Sequence, residues 1–134
     1  MKLALGFAAA VAASCQNRSV HQEIYWRGLQ LLNEGSFFDA HEVLEDVWRE
    51  APNSEKKFLQ GLIQIAVGLH HYSKGNLAGA QSVLKRAHRN LSAYPKEHGG
   101  IRLNELRMQL ELWCKALANG GDVPAVPQVE KISR

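Results

Sequence analysis

Apolar residues recur at intervals of three and four in five separate stretches of the chain, and alternating apolar–polar runs are nearly absent. The first stretch spans about 20–33, with Ile24, Leu29, Leu31 and Leu32 as its apolar positions. Gly35 ends it, as a glycine beyond a helix C-terminus does. The second opens at Ser36, a good N-cap, with Asp39 three residues on as a short capping box. Phe37, Ala40, Leu44, Val47 and Trp48 form its stripe, and Pro52 closes it. The third stretch, about 55–73, is apolar nearly all round: Phe58, Leu59, Leu62, Ile63, Ile65, Ala66, Val67 and Leu69. A helix apolar on every side is a buried one. The fourth starts at the N-cap Asn76 and repeats through Leu77, Ala80, Leu84, Ala87 and Leu91. Pro95 and Gly99-Gly100 close it. The fifth has the cleanest period, Leu103, Leu106, Leu110, Trp113 and Leu117, and stops at Gly120-Gly121. The expected fold is therefore all-α, a compact five- to six-helix bundle with a central buried helix (about 55–73) wrapped by the others.

A weak internal echo runs through this pattern. Gly28, Gly35, Ala40 and Leu44 recur forty residues later as Gly68, Gly75, Ala80 and Leu84. Each set is a helix, a glycine turn and a second helix that opens with a small residue. The spacing resembles the helical hairpins of tetratricopeptide repeats, whose period is nearer 34. The preferred reading is a shared hairpin geometry and not a repeat array. Gly61 and Gly68, seven apart, share a face of the third helix, where they invite a neighbouring helix to approach closely.

Composition adds bounds and no chemistry. With 134 residues, 46% hydrophobic and 22% charged, the chain is one domain with enough core to fold without disulfides. The net charge of +3 is too weak to argue for nucleic acid. Two cysteines, Cys15 and Cys114, give no disulfide framework, and Cys114 beside Trp113 reads as an inert core thiol. No apolar run is long enough to span a bilayer, so no transmembrane helix is expected in the mature domain. The expected organisation is an N-terminal extension or signal segment (1–18), a helical bundle (19–120) and an extended or disordered tail (121–134). Met1-Lys2, an apolar run to Ala13 and then Ser14-Cys15 have the form of a secretory signal or lipoprotein site. The other reading is an Ala-rich extension from an upstream start codon, or a short helix lying on the bundle. A cytoplasmic location is favoured, and export or lipidation follows if residues 1–14 are a signal peptide.

One polar constellation interrupts the apolar pattern. On a helical wheel, His41 and Glu45 fall at the edge of the second helix's apolar arc, one turn apart, whereas Glu42, Asp46 and Arg49 point away. On the third helix Gln60, Gln64 and His71 form a polar stripe within about 40°. If these two helices form an antiparallel hairpin about Pro52, His41 comes level with Gln64 or Ile65, and Glu45 with Gln60 or Gly61. His41, Glu45, Gln60 and Gln64 then form one interhelical network that satisfies buried polar groups. His71 lies roughly 9 Å beyond Ile65 and joins only at an oblique crossing. The alternative is a divalent metal held by His41 and Glu45, with His71 or His70 as third ligand. The pattern lacks both the His-Glu-x-x-His motif and the paired Glu-x-x-His of di-iron bundles. The structural network is therefore preferred. The basic run Lys85-Arg86-Ala87-His88-Arg89 reads as a solvated helical face.

Asn33-Glu34-Gly35, Phe37-Phe38-Asp39-Ala40-His41-Glu42-Val43-Leu44-Glu45 and Trp48-Arg49 are similar to the signature of a bacterial and archaeal family, domain of unknown function 309. The block Phe58-Leu59-Gln60-Gly61-Leu62-Ile63-Gln64-Ile65-Ala66-Val67, with His70-His71, Gly75-Asn76 and Gly79-Ala80, fits the same signature. The resemblance covers about Tyr25 to Leu91, and the fifth helix loosely. It implies a compact helical bundle around one central helix and no known activity, substrate or cofactor. The expected function is a non-enzymatic helical module that binds a protein partner or itself. The alternative is a metal-dependent, hydrolase-like enzyme with His41 and Glu45 as ligands to a divalent ion and His71 as third ligand or general base.

Overall fold

The computed structural model describes residues 18–133. The signal-like segment and Cys15 lie outside them. Five helices follow one another: α1 (Arg18–Glu34), α2 (Phe37–Glu50), α3 (Asn53–Ser73), α4 (Leu77–Leu91) and α5 (Leu103–Asn119). Among the described residues no strand forms beyond isolated β-bridges at His98, Ile101 and Lys131. The all-α expectation holds, and the helix limits fall close to the positions that glycine and proline predict.

α3 is the central element. It packs against α2 on one side and, more extensively, against α4 on the other. Phe58, Leu59, Leu62, Ile65 and Ala66 are fully buried along it. Gly61 and Gly68 explain the closeness of α4. A Cβ built on Gly61 would come within 2.7 Å of Leu91, and one on Gly68 within 2.8 Å of Leu84. Both glycines therefore trade helix propensity for close packing.

The forty-residue echo is a structural one. Gly28 meets Leu44 as Gly68 meets Leu84, at 2.7 and 2.8 Å from the built Cβ. Gly35 and Gly75 both turn with positive φ, at 86° and 81°. Both turns make the same paired bonds: Gly35 N–H to Leu32 O and Ser36 N–H to Leu31 O, then Gly75 N–H to Tyr72 O and Asn76 N–H to His71 O. This is the six-to-one and glycine-centred closure of a Schellman-type helix end. Ala40 and Ala80 are both fully buried. The α1–α2 and α3–α4 hairpins thus share one geometry, stacked in sequence. Their caps differ. Asn76 Oδ1 accepts the Gly79 N–H at 3.0 Å, whereas the Ser36 hydroxyl makes no capping bond, so the predicted capping box does not form.

The α2–α3 corner is held by Lys56. Its ammonium donates to Trp48 O at 2.7 Å and lies 4.1 Å from the Trp48 ring centroid. A cation at the last carbonyls of α2 also complements the helix dipole. At the other end, the Arg107 guanidinium donates to Leu91 O (2.8 Å) and Tyr94 O (2.9 Å), closing the C-terminus of α4. After α5, residues 123–133 run without helix back along the bundle, with Val129 buried.

Candidate functional site

The residues singled out from the sequence occupy three separate places. His41 and Glu45 do meet: His41 Nε2 lies 3.2 Å from Glu45 Oε2 on the exposed side of α2, with side chains 28% and 41% accessible. Arg49 extends the row, 3.6 Å from Glu45 and paired to Asp46 as well. A polar row this open contributes little stability, about 0–1 kcal/mol.

Gln64 and Gln60 do not join it. Gln64 Oε1 accepts from Asn90 Nδ2 on α4 at 2.8 Å, and Gln60 is exposed. His71 Nδ1 sits 3.3 Å from Asn76 Nδ2 at the α3–α4 turn. The reason lies in the glycine face. Gly61 and Gly68 turn toward α4, and Gln64 and His71 are their near neighbours on the wheel, so the polar stripe turns with them. The expected four-residue network is therefore not assembled between α2 and α3. The α2-facing histidine is His70. Its ring lies 6.1 Å from that of Phe38, which in turn lies 6.3 Å from His41.

Phe38, His70, Asp39, Ser73 and Lys74 border a shallow hollow of about 290 Å³ where α2 begins and α3 ends. That is at the lower limit of small-molecule pockets, roughly 300 Å³. Phe38 itself projects, 56% accessible. Among the described residues no group of three or more His, Cys, Asp and Glu is placed to hold a metal.

Periodicity pointed nowhere near the most buried polar pair. Glu55, in the first turn of α3, and His98, in the α4–α5 connection, meet at 2.6 Å through Oε1 and Nε2. Their side chains are 10% and 2% accessible. His98 is packed edge-on to Phe58 (4.8 Å) and beside Tyr94 (4.7 Å). The chain reaches this position through a two-residue turn in which His98 and Ile101 exchange both backbone hydrogen bonds. Gly99 and Gly100 supply φ of 62° and 75°, the left-handed values that such a turn requires. Tyr25 of α1 donates its hydroxyl to Gly99 O at 2.6 Å. Tyr94 donates to Ser54 O (2.8 Å) and accepts the Phe58 N–H (3.1 Å). Together these contacts bind α1, α3 and the α4–α5 connection at one point. Their one sequence signal is the Gly-Gly dipeptide after His98. His98 Nδ1 and Trp48 Nε1 are the buried side-chain atoms without a hydrogen-bond partner among the described residues.

This packing leaves a pH signature. Burial, followed by the nearby Glu55 carboxylate, raises the Tyr25 phenol well above its ordinary value near 10. The folded state then holds the proton more tightly than the unfolded chain. The stability this confers is intact below about pH 10 and is lost as pH rises toward the folded-state value. Tyr25→Phe removes a bond whose net contribution is about 1 kcal/mol but also removes the titration. Urea unfolding should find the wild type more stable than Y25F at pH 8 and the gap shrinking or reversing by pH 11. A gap that stays constant over that interval would contradict the assignment. Burial likewise pushes the Cys114 thiol up, consistent with an unreactive packing cysteine.

Residues 25–83 match the model of the family described as domain of unknown function (DUF309). The DUF309 match runs from Tyr25 in α1 to Val83 in α4, through Phe38, His41, Glu45, Glu55 and His70. It supports the family resemblance seen in the two motif blocks. An uncharacterised protein of Aquifex aeolicus (strain VF5) is 41% identical over 90 residues, covering 65% of this chain and 27% of that protein. The uncharacterised protein YpuF of Bacillus subtilis (strain 168) is 38% identical over 66 residues, covering 48% of this chain and 36% of that protein. The matches thus take in only about a quarter to a third of these relatives. No activity can be assigned from them. No helix among the described residues is long and apolar enough to cross a membrane.

Proposed function

We propose that this DUF309 chain is a non-enzymatic interaction module that docks a protein partner along the α2–α3 edge. One observation carries the reading: the Phe38 ring stands 56% accessible between the His41 and His70 rings, at the rim of an open hollow. Leu77, Met108 and Leu112 are comparably exposed, but Phe38 is the aromatic ring among them and borders a hollow. Aromatic side chains ringed by polar groups are what protein interfaces use as anchors. The partner surface therefore offers a pocket for one aromatic ring, rimmed by groups that pair with the imidazoles. The length of the relatives agrees with a domain that works beside other protein surfaces.

A photo-activated crosslinking residue placed at position 38, in the native cell, should give a discrete protein adduct. The same residue at Lys57, exposed on α3, should not, and His70→Ala should weaken the adduct at 38. Equal adducts at both positions, or none, would reject the proposal. Elemental analysis addresses the metal-dependent alternative, in which His41 and Glu45 hold a divalent ion. The expected result is no stoichiometric metal in wild type or in His41→Ala. One ion per chain, lost in H41A, would replace the interaction reading by the enzymatic one.

A further inference from the structure

The segment after α5 is held in an unusual way. Asn33 on α1 donates Nδ2–H to Val129 O (3.0 Å) and accepts the Val129 N–H at Oδ1 (2.7 Å). Gln109 on α5 donates Nε2–H to Gln128 O (3.0 Å) and accepts the Gln128 N–H at Oε1 (2.8 Å). Two side-chain amides, one from each helix, thus each close a two-bond ring on consecutive residues of the segment. Trp113 Nε1–H donates to Ala125 O at 2.9 Å. The Arg102 N–H donates to Glu130 O, and the Ile132 N–H donates to Gly100 O, both at 2.9 Å. Pro127 and Val129 are the segment's buried side chains.

These contacts read main chain. Amide clamps recognise an N–H and a C=O that any extended segment offers, and the two buried side chains add selectivity. That division of labour, main-chain bonds for affinity and alternate pockets for specificity, is how proteins bind extended peptides. The tether fits as well. Gly120, with φ of 66°, and Gly121 close α5, the Gly121 N–H donating to Ala116 O at 3.0 Å, and an added Cβ at either glycine would meet no neighbour. A short link gives a tethered occupant an effective concentration on the order of millimolar. Modest intrinsic affinity then suffices to keep the segment seated.

We propose that the groove between α1 and α5 is a docking site for an extended peptide and that residues 123–132 are its intramolecular occupant. The external ligand is an extended segment of a partner protein with an aliphatic–Pro–polar–aliphatic pattern, as in Val126-Pro127-Gln128-Val129. Seated, the chain's own segment blocks the groove, and displacement opens it. This site uses other elements than the Phe38 edge, so either proposal stands or falls without the other.

The test is made on the full chain with a protease-cleavage sequence inserted between Gly120 and Gly121. After cleavage, a fluorescently labelled peptide of residues 122–133 should bind saturably. The uncut protein should bind it at least about tenfold more weakly, since its own segment competes at high effective concentration. Asn33→Ala with Gln109→Ala should weaken binding to the cut protein by about tenfold or more, four hydrogen bonds being lost. A peptide with Gln128→Lys, which loses the exposed bond from Gln128 Nε2 to Asn33 O (3.2 Å), should bind no more than a few-fold more weakly, and one with Val129→Asp should not bind. No binding to a cut protein that keeps its helical circular dichroism overturns the proposal, as does binding indifferent to the clamp variants. If cutting unfolds the protein, peptide-dependent recovery of helicity supports the site and no recovery rejects it. A concentration-dependent dimer of the uncut chain, abolished by the clamp variants, would make the occupant a second copy and overturn the assignment to a different partner.

Discussion

Glu55→Met should destabilise the fold by about 3 kcal/mol, and adding His98→Phe should return most of that loss. The single change removes the one partner of a deeply buried imidazole. His98 is 2% accessible, and among the described residues its Nε2 bonds to Glu55 alone and its Nδ1 has no partner. Without Glu55, Nε2 also lies buried and unsatisfied, which adds a desolvation penalty of about 1–3 kcal/mol to the lost packing of the pair. The double variant behaves differently. Phenylalanine keeps a ring against Phe58 and Tyr94, and methionine fills most of the glutamate's volume without needing a bond. Replacing a buried polar pair by apolar groups of similar shape is often neutral. Urea denaturation of wild type, both singles and the double gives the coupling directly. Additive losses would mean that the 2.6 Å contact contributes nothing as a pair and that packing alone holds the connection.

The contrast between this pair and the His41–Glu45 pair shows what the sequence could and could not disclose. His41 and Glu45 are one turn apart on a single helix, so spacing alone brings them together. Glu55 and His98 are forty-three positions apart, one in a helix's first turn and one in a connection. No periodicity links them, and their contact depends on how α3, α1 and the connection converge. The polar stripe Gln60–Gln64–His71 was visible on the wheel, but a wheel orders residues around one axis without saying which neighbour each arc faces. The glycines held that information. Gly61 and Gly68 admit α4 at a distance no other residue allows, and this turns Gln64 toward Asn90.

The fold was more legible for the same physical reason. Helix limits follow from residues with special backbone freedom, and Gly35, Gly75 and Gly120 all carry positive φ at the helix ends where the sequence placed stops. The hairpin echo was legible because close helix contact demands small residues at fixed spacing. The C-terminal segment was not, because its clamps are amides. Asn33 and Gln109 are ordinary surface residue types on their helices, and their use emerges only when residues 128 and 129 come to lie between them.

Gly99→Ala should cost about 3–5 kcal/mol, among the largest losses of any one-carbon substitution in the chain. Two independent effects add. The backbone at Gly99 has φ of 62°, where a Cβ costs about 1–2 kcal/mol even in open space. Space here is closed as well. A Cβ would sit 2.6 Å from the Phe58 ring and 2.6 Å from the Tyr25 hydroxyl. Neither can yield cheaply. Phe58 is fully buried in the second turn of α3, and Tyr25 spends its hydroxyl proton on Gly99 O itself. Moving the turn instead would pull His98 from Glu55. Gly100→Ala is the control: its φ is 75°, but its built Cβ is 3.0 Å from Trp26, at the far edge of the indole and on the half-exposed side. It should lose chiefly the backbone part, about 1–2 kcal/mol. Combining Gly99→Ala with Tyr25→Phe should lose less than the sum of the two singles, because the phenol is one of the atoms in the way. Equal losses for the two glycine variants in urea unfolding would show that left-handed strain alone matters, and that the Tyr25–Phe58 wall does not confine the turn.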